Sequence, residues 1–193
     1  VNGGTLSSFS ASSSTVYTAT FTPSGDGSTT IDVGANTFTD AVGNNNTAAS
    51  QFTWSYDGTS PTMTITAINN DGETIGTGST TNDTLLIFTF TASEHTLNFN
   101  ESDITVTNGA ISSFTSISGT VYTCILRPND ELEISINANS GVFTDGVGNG
   151  NVASDQFNWI YNDTPPSMTI SAIKNDSSIV SGSITNHSVF TIV

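Results

Sequence analysis

The stretch FTDAVGNNNTAASQFTWSYDGTSP, Phe38 to Pro61, returns as FTDGVGNGNVASDQFNWIYNDTPP, Phe143 to Pro166. Phe38 and Phe143, Trp54 and Trp159, Tyr56 and Tyr161, and Pro61 and Pro166 each stand 105 residues apart. A fixed period of this kind sets the architecture before any residue chemistry is read. A repeat of about a hundred residues is an ordinary domain in size. Outward from the quoted stretch, Val1–Thr59 matches Val106–Thr164: GGTLSSFS pairs with NGAISSFT, STVYTATFTP with GTVYTCILRP, and TIDVGAN with EISINAN. The expected division is therefore 1–59 as the C-terminal part of one repeat, 60–164 as a complete repeat, and 165–193 as the N-terminal part of the next. That last part opens with PPSMTISAIKND against the earlier SPTMTITAINND.

Within the complete repeat the apolar residues recur at strand spacing. MTITAI (63–68) puts Met63, Ile65 and Ala67 on one face, and LLIFTF (85–90) is a dense run suited to a central strand. VYTCIL (121–126) alternates Tyr122, Cys124 and Leu126 against Val121, Thr123 and Ile125. LEISIN (132–137) aligns Leu132, Ile134 and Ile136; QFNWIY (156–161) aligns Phe157, Trp159 and Tyr161. ITVTN (104–108) and ISSF (111–114) flank Asn108-Gly109, which predicts a hairpin. About seven strands in about 105 residues, and no helical period, give an all-β fold: immunoglobulin-like β-sandwich repeats of about 105 residues in tandem. No Gly/Ser spacer separates the repeats, and the prolines at the joint stiffen it, so a semi-rigid rod is expected.

Composition excludes several functions. Charged residues are 10% of the chain, against about 25% in a typical soluble protein. The deficit is basic: two Lys and Arg stand against 17 Asp and Glu, a net charge of −15. Phosphate backbones need Lys and Arg, so nucleic acid is not an expected partner, nor is an anionic membrane surface. No apolar run reaches membrane-spanning length, so no membrane insertion is expected. Cys124, the only cysteine, is matched by Ala19 in the earlier copy, which marks a small core residue rather than a reactive thiol.

The motif Phe-Thr-Asp-x-x-Gly-Asn before a last strand, followed by Asp-x-Thr-x-Pro opening the next repeat, resembles the bacterial Ig-like domains repeated in large surface adhesins. SEHTLNFNESDITVTNGAISSF (93–114) looks like the Ser-Glu…Asp-Ile-Thr-Val…Asn-Gly segment of the same family. The resemblance covers the whole chain. It implies an Ig-like sandwich, no enzyme activity, an extracellular or cell-surface location, and calcium at domain edges. One departure is visible: Asp57-Gly58-Thr59 becomes Asn162-Asp163-Thr164 at the second joint, which puts identical metal sites there in doubt.

The carboxylates are the chemical candidates. Asp40 and Asn44 recur as Asp145 and Asn149; Asp57 and Asp163 lie at the joints; Glu94 and Asp103 fall in the family-like segment. Calcium takes about six to eight oxygens, which loops of Asp, Asn and Gly supply. These eight residues are the candidate metal ligands, and Ca2+ is the only cofactor considered. The competing reading is turn chemistry: Asp and Asn side chains bind their own backbone while Gly takes a positive φ. Asn-x-Ser/Thr occurs at Asn45, Asn82, Asn100, Asn162, Asn175 and Asn186. These are glycan acceptors only in a eukaryotic host, and a chain this rich in Asn, Ser and Thr produces such triplets by composition alone. His95 and His187 occupy non-equivalent places, so no catalytic triad is suggested. Trp54, Trp159, Tyr56 and Tyr161 alternate in a last strand, as core residues do; exposed, they would make a sugar platform.

The expected function is a structural Ig-like segment of an extracellular filament or adhesin. Residues 1–59 and 165–193 are complementary parts of one repeat. Two arrangements are expected to fit them: neighbouring copies complete each other head to tail by strand addition, or the residues are a window on a longer array. The alternative function is a carbohydrate- or surface-binding adhesive module, with cell-surface glycans as partners beside copies of the chain itself.

Overall fold

The structure, a computed structural model, describes residues 1–186, 189 and 191–193. Residues 1–56 form two hairpin-like pairs. β1 (Gly4–Ala11) pairs antiparallel with β2 (Tyr17–Pro23), and β3 (Gly27–Ile31) pairs antiparallel with β4 (Phe52–Tyr56). Residues 57–62 then lead directly into β5 (Met63–Ile68).

The complete sandwich continues with β6 (Thr74–Ile75), β7 (Ser79–Thr81), β8 (Leu86–Ala92), β9 (Ile104–Thr107), β10 (Gly109–Ser116), β11 (Val121–Pro128), β12 (Glu133–Ala138) and β13 (Phe157–Tyr161). One sheet has the order β10-β11-β8-β5-β6 and the other β7-β13-β12-β9. All pairings are antiparallel except β7 with β13, where Trp159, Ile160 and Tyr161 lie opposite Ser79, Thr80 and Thr81. β8 is central, as its dense apolar run suits: Leu86, Phe88 and Phe90 are wholly buried.

The alternation read from the sequence becomes the packing between the two sheets. Met63, Ala67, Tyr122, Cys124, Leu126, Ile134, Ile136, Phe157 and Trp159 all face the core. Phe88 of one sheet meets Phe157 edge-on at 5.2 Å and Trp159 at 5.5 Å in the other. Phe99 closes one end, touching Phe90, Tyr122, Phe143 and Phe114 at ring distances of 5.0–5.8 Å. Burial pushes the Cys124 thiol up to about 12, so it stays an inert core residue.

Two expectations are corrected. Asn108-Gly109 does not join a hairpin. β9 pairs with β12 and β10 with β11, so the chain crosses from one sheet to the other at this point. Asn108 takes the left-handed conformation (φ 59°) and donates from Nδ2 to the Glu133 carbonyl at 2.8 Å, which makes the corner. Leu132 lies outside β12 and is exposed, whereas Ile134 and Ile136 are buried.

The repeat extends from sequence to backbone. The β1–β2 pairing, Gly4 opposite Pro23 with a bulge between Ser7 and Ser10, is reproduced by Gly109 opposite Pro128 with a bulge between Ser112 and Thr115. Ser8 and Ser113, inside these bulges, both have positive φ, 51° and 55°. A bulge of this kind twists an outer strand and blunts its free edge. Beyond the sandwich, β14 (Ala172–Lys174) pairs with β15 (Ser177–Ile179) and β16 (Thr191–Ile192). Among the described residues the only helix is a 3-10 turn, Glu101–Asp103, and none is long and apolar enough to cross a membrane.

Candidate functional site

The quoted motif is first of all a turn. Asp145 Oδ1 accepts the N–H groups of Val147, Gly148 and Asn149 at 2.9, 2.7 and 2.8 Å, and Oδ2 accepts Asn149 Nδ2 at 2.8 Å. Gly148, at φ 102°, permits the reversal. Asn151 locks the turn's base: its Oδ1 accepts the N–H groups of Val142 and Phe143, and its Nδ2 donates to the carbonyls of Asn139 and Val152. Asp40, Asn44 and Asn46 build the same network in the earlier copy. Asp40, Asn44, Asp145 and Asn149 all take part in these turn networks.

A second property is added where two repeats meet. Asp57 from the joint, Glu94 from the loop after β8 and Asp145 from the turn bring carboxylate oxygens within 4.8 Å of one another. The Glu94 loop is held to the turn by a bridge between Thr96 and Asp145 and by the Leu97 N–H to the Thr144 carbonyl at 3.2 Å. Asn149 Nδ2 donates to the Asp57 carbonyl at 3.2 Å, tying the joint to the same turn. Burial raises the Glu94 carboxyl, and the charges of Asp57, Asp145 and Asp26 raise it further. Burial also pushes Asp145 upward, but its hydrogen bonds from Asn149, Val147 and Gly148 outweigh this and leave it below the usual range. The cluster is thus three hard oxygen donors, from separate stretches of chain, with no cation beside them among the described residues.

Other predicted residues are placed elsewhere. Asp103 accepts the Asn100 N–H at 2.9 Å in a capping box on the 3-10 turn and does not join the cluster. Asp163 accepts from the Tyr161 hydroxyl at 2.8 Å at the second joint. The positions matching Asp57 and Glu94 for the Asp40 turn, and those matching Glu94 and Asp145 at the second joint, fall outside residues 1–193. Asn45, Asn82, Asn100, Asn162, Asn175 and Asn186 are all exposed, but Asn100 is engaged: its Nδ2 donates to Asp103 and to the Asn98 carbonyl. His187 lies outside the described residues.

One pair of residues escaped the sequence analysis. Asp26 accepts the Gly58 N–H at 2.6 Å and the Thr59 hydroxyl. Glu131 accepts the Asp163 N–H at 2.8 Å and the Thr164 hydroxyl at 2.7 Å. Asp26 and Glu131 are 105 apart, so a carboxylate latches the chain at both joints. The signal available was the period itself, obscured because the acid changes from Asp to Glu in a loop that otherwise differs.

A family model described as the bacterial Ig-like domain matches residues 1–56 and again 57–161. The chain belongs to the bacterial Ig-like domain family. No curated protein and no solved structure matches it. Bacterial Ig-like domains are β-sandwich modules and generally non-catalytic, and they are typical of surface and extracellular proteins. In this bacterial Ig-like chain the acids converge at the edge where two domains meet. None of Asp57, Glu94 and Asp145 lines the apolar hollow of about 530 Å³ formed by Phe9, Tyr17, Val33, Phe38 and Thr39.

The carboxylates give these domains a two-sided pH dependence. Asp26, Asp40, Glu131 and Asp145 have lowered folded values. Their stabilisation is complete above the unfolded values, about 3.9 for Asp and about 4.3 for Glu, and is lost as pH falls through the lowered ones. Glu94 has the opposite sign: its penalty is complete above its raised folded value and vanishes below about 4.3. In EDTA, the melting temperature is expected to rise slightly on acidification from neutrality and to fall below about pH 4. A steady fall from pH 7 downward contradicts the placement of Glu94.

Proposed function

We propose that this chain is a structural segment of an extracellular filament or adhesin, in which Ig-like sandwiches in series hold a more distant part of the assembly away from a surface. The observation that carries this reading is the joint. Residues 57–62 connect β4 to β5 without a spacer, Pro61 is buried and its carbonyl accepts the Val152 N–H at 2.9 Å. Asp26 holds the same short connection from the other side. Such a joint has little freedom to swing, which favours a rod over beads on a string. The acidic, hydroxyl-rich surface keeps the rod hydrated and offers trypsin-like proteases few basic residues.

Asp57, Glu94 and Asp145 fit a calcium ion: all are carboxylates, two come from one domain and one from the joint, and their mutual repulsion is relieved by a divalent cation. Bound there, calcium would supply a charge bridge across the joint. Glu94→Gln removes one negative charge and the two-oxygen carboxylate, leaving a single weaker amide oxygen, without disturbing the Asp145 turn. Addition of calcium at 100 times its Kd is worth about 2.7 kcal/mol, or a melting-temperature rise of roughly 10 °C for a domain of this size. The rise is expected in the parent and largely absent in Glu94→Gln. An equal rise in both removes calcium from this joint; no rise in either removes it altogether.

A glycan-binding reading would need aromatic side chains exposed by design. Trp159 is buried and Tyr161 half-buried. The exposed aromatics Phe9, Tyr17, Phe38 and Phe52 lie in residues 1–56, at positions whose counterparts 105 residues later pack into the core, as core-type rather than ligand-type positions do. Electron microscopy tests the filament reading. Long fibres from the native material are expected, and single short particles with and without a chelator would reverse it in favour of the adhesive module.

A further inference from the structure

The complete sandwich leaves one stretch of sheet edge open. β6 pairs with β5 only at Ala67 and Ile68, and no described strand pairs with Met63–Thr66 on the side away from β8. The neighbours fix which main-chain groups point into this space. Met63 lies opposite Ala92, whose N–H donates away from β5 to the Thr120 carbonyl at 2.8 Å. Met63 and Ala92 are therefore a pair without mutual hydrogen bonds, and so, two residues on, are Ile65 and Phe90. The N–H and carbonyl groups of Met63 and Ile65 point outward. The Asn69 N–H points the same way and is met there by the Glu73 carbonyl at 2.9 Å.

The chain itself vacates this lane. After β6 it crosses through Thr77 and Gly78 to the other sheet, where the Gly78 N–H donates to the Asn158 carbonyl at 2.7 Å and the Thr77 hydroxyl to Asn158 Oδ1 at 2.7 Å. Behind it lies a groove of about 240 Å³, lined by Met63, Ile65, Thr77, Asp155, Gln156 and Phe157. Met63 and Phe157 are buried at its base, and Asp155 and Gln156 are exposed on its rim. β6 closes one end, and the bond from the Val152 N–H to the Pro61 carbonyl at 2.9 Å closes the other. The free stretch is about 13 Å of strand. That is shorter than the usual strand of about 5–6 residues, so it suits a flexible segment rather than the edge of another folded sheet.

We propose that an extended, basic segment of another protein adds as a strand to Met63–Thr66. Its main chain bonds to the outward groups of Met63 and Ile65, and its inward side chains supply the specificity, as in other strand additions. Alternate residues of the added strand face the groove. One inward position takes an apolar side chain against Met63 and Phe157, and the next takes Lys or Arg beside Asp155. No basic residue lines the groove, so an incoming cation meets Asp155 without competition. Charge also decides against a second copy as the occupant, because this chain brings 17 acids and only two basic residues. The site goes beyond the filament reading and does not depend on it: each complete sandwich of a rod would display one such lane along its side.

The test uses the whole chain and a labelled peptide, Thr-Lys-Thr-Val-Thr-Lys-Thr, whose inward pattern reads the same in either direction. Binding is followed by fluorescence anisotropy and by amide hydrogen exchange in NMR. In the chain alone, the Met63 and Ile65 amides are expected to exchange faster than those of Thr64 and Thr66, which face β8. The peptide is expected to slow Met63 and Ile65 at least tenfold, and the same peptide with Glu for Lys is expected to leave them unchanged. Asp155→Lys is expected to weaken binding of the lysine peptide at least tenfold. Glu101→Lys, beside β9 at the far edge of the other sheet, is expected to leave it unchanged. Equal losses in the two variants reduce the binding to net charge and overturn the site. Binding without protection of Met63 and Ile65, or no binding up to about 1 mM, also overturns it. Protection that grows with the concentration of the chain alone makes the occupant a second copy and overturns the proposed partner.

Discussion

Trp159→Ala is expected to destabilise the complete sandwich by about 3–5 kcal/mol, the range for removing a large buried aromatic. Natural domains have about 5–15 kcal/mol in all, so the variant is expected to be largely unfolded well below the melting point of the parent. Trp159 is wholly buried, contacts Phe88 across the sheets at 5.5 Å and lies beside Phe157 on its own strand. The surrounding strands pair on both sides of β13, so they have little freedom to collapse into the space. The equivalent change at Trp54 is expected to cost less than half as much. Trp54 touches Phe21 at 4.7 Å and Phe52 at 5.6 Å but remains partly exposed. Trp159→Phe separates ring packing from the indole N–H: Nε1 is buried without a hydrogen-bond partner among the described residues. Phenylalanine removes that unmet donor and keeps most of the contact, so a loss under about 2 kcal/mol is expected. Urea unfolding of the three variants checks the order; equal losses at 54 and 159 contradict the difference in burial.

Asn151→Ala is the second large effect. Asn151 is 3% exposed and its side chain makes four hydrogen bonds to backbone. Alanine leaves the N–H groups of Val142 and Phe143 and two carbonyls without these partners. A buried group left unpaired costs about 1–3 kcal/mol; some of the four regain water, and a total of about 3 kcal/mol is expected. Asn46 makes the same four bonds, but in a turn open to solvent. Water replaces them there, and Asn46→Ala is expected to cost about 1 kcal/mol or less. The comparison holds the chemistry constant and changes only burial. If both substitutions cost the same, the turn draws its strength from local geometry rather than from its place under the sandwich.

The period carried most of the fold into view. Alternation at Tyr122, Cys124 and Leu126, and at Phe157 and Trp159, is a direct imprint of one buried face, and those residues are buried. β6 and β7 left no such imprint. Two or three residues, largely Ser and Thr, cannot show a period, and the partner of β7 is about 80 residues away in sequence. Asn108-Gly109 misled because a left-handed residue serves a hairpin and a change of sheet equally well. At the site, Asp57, Glu94 and Asp145 were each legible as acids in the right loops, but their convergence is a tertiary fact. Asp103 was legible only as an acid in a family-like segment, and its hydrogen bonds within the 3-10 turn keep it there. Asp26 and Glu131 act through hydrogen bonds to a linker about 30 residues away, which no local pattern announces.

The parallel pairing of β7 with β13 determines how the sandwich meets a pulling force. A pull on the two ends of the sandwich would enter through β5, ahead of β7, and leave through β13. Three consecutive residues of β13 lie beside Ser79, Thr80 and Thr81. Strands that run the same way, drawn from opposite ends, slide along one another, so their hydrogen bonds are strained together in shear. An antiparallel hairpin drawn from its open end would give them up one at a time, as a zipper does. Three short residues that the sequence hardly marks would therefore resist such a pull together, alongside the six-residue pairing of β5 with β8.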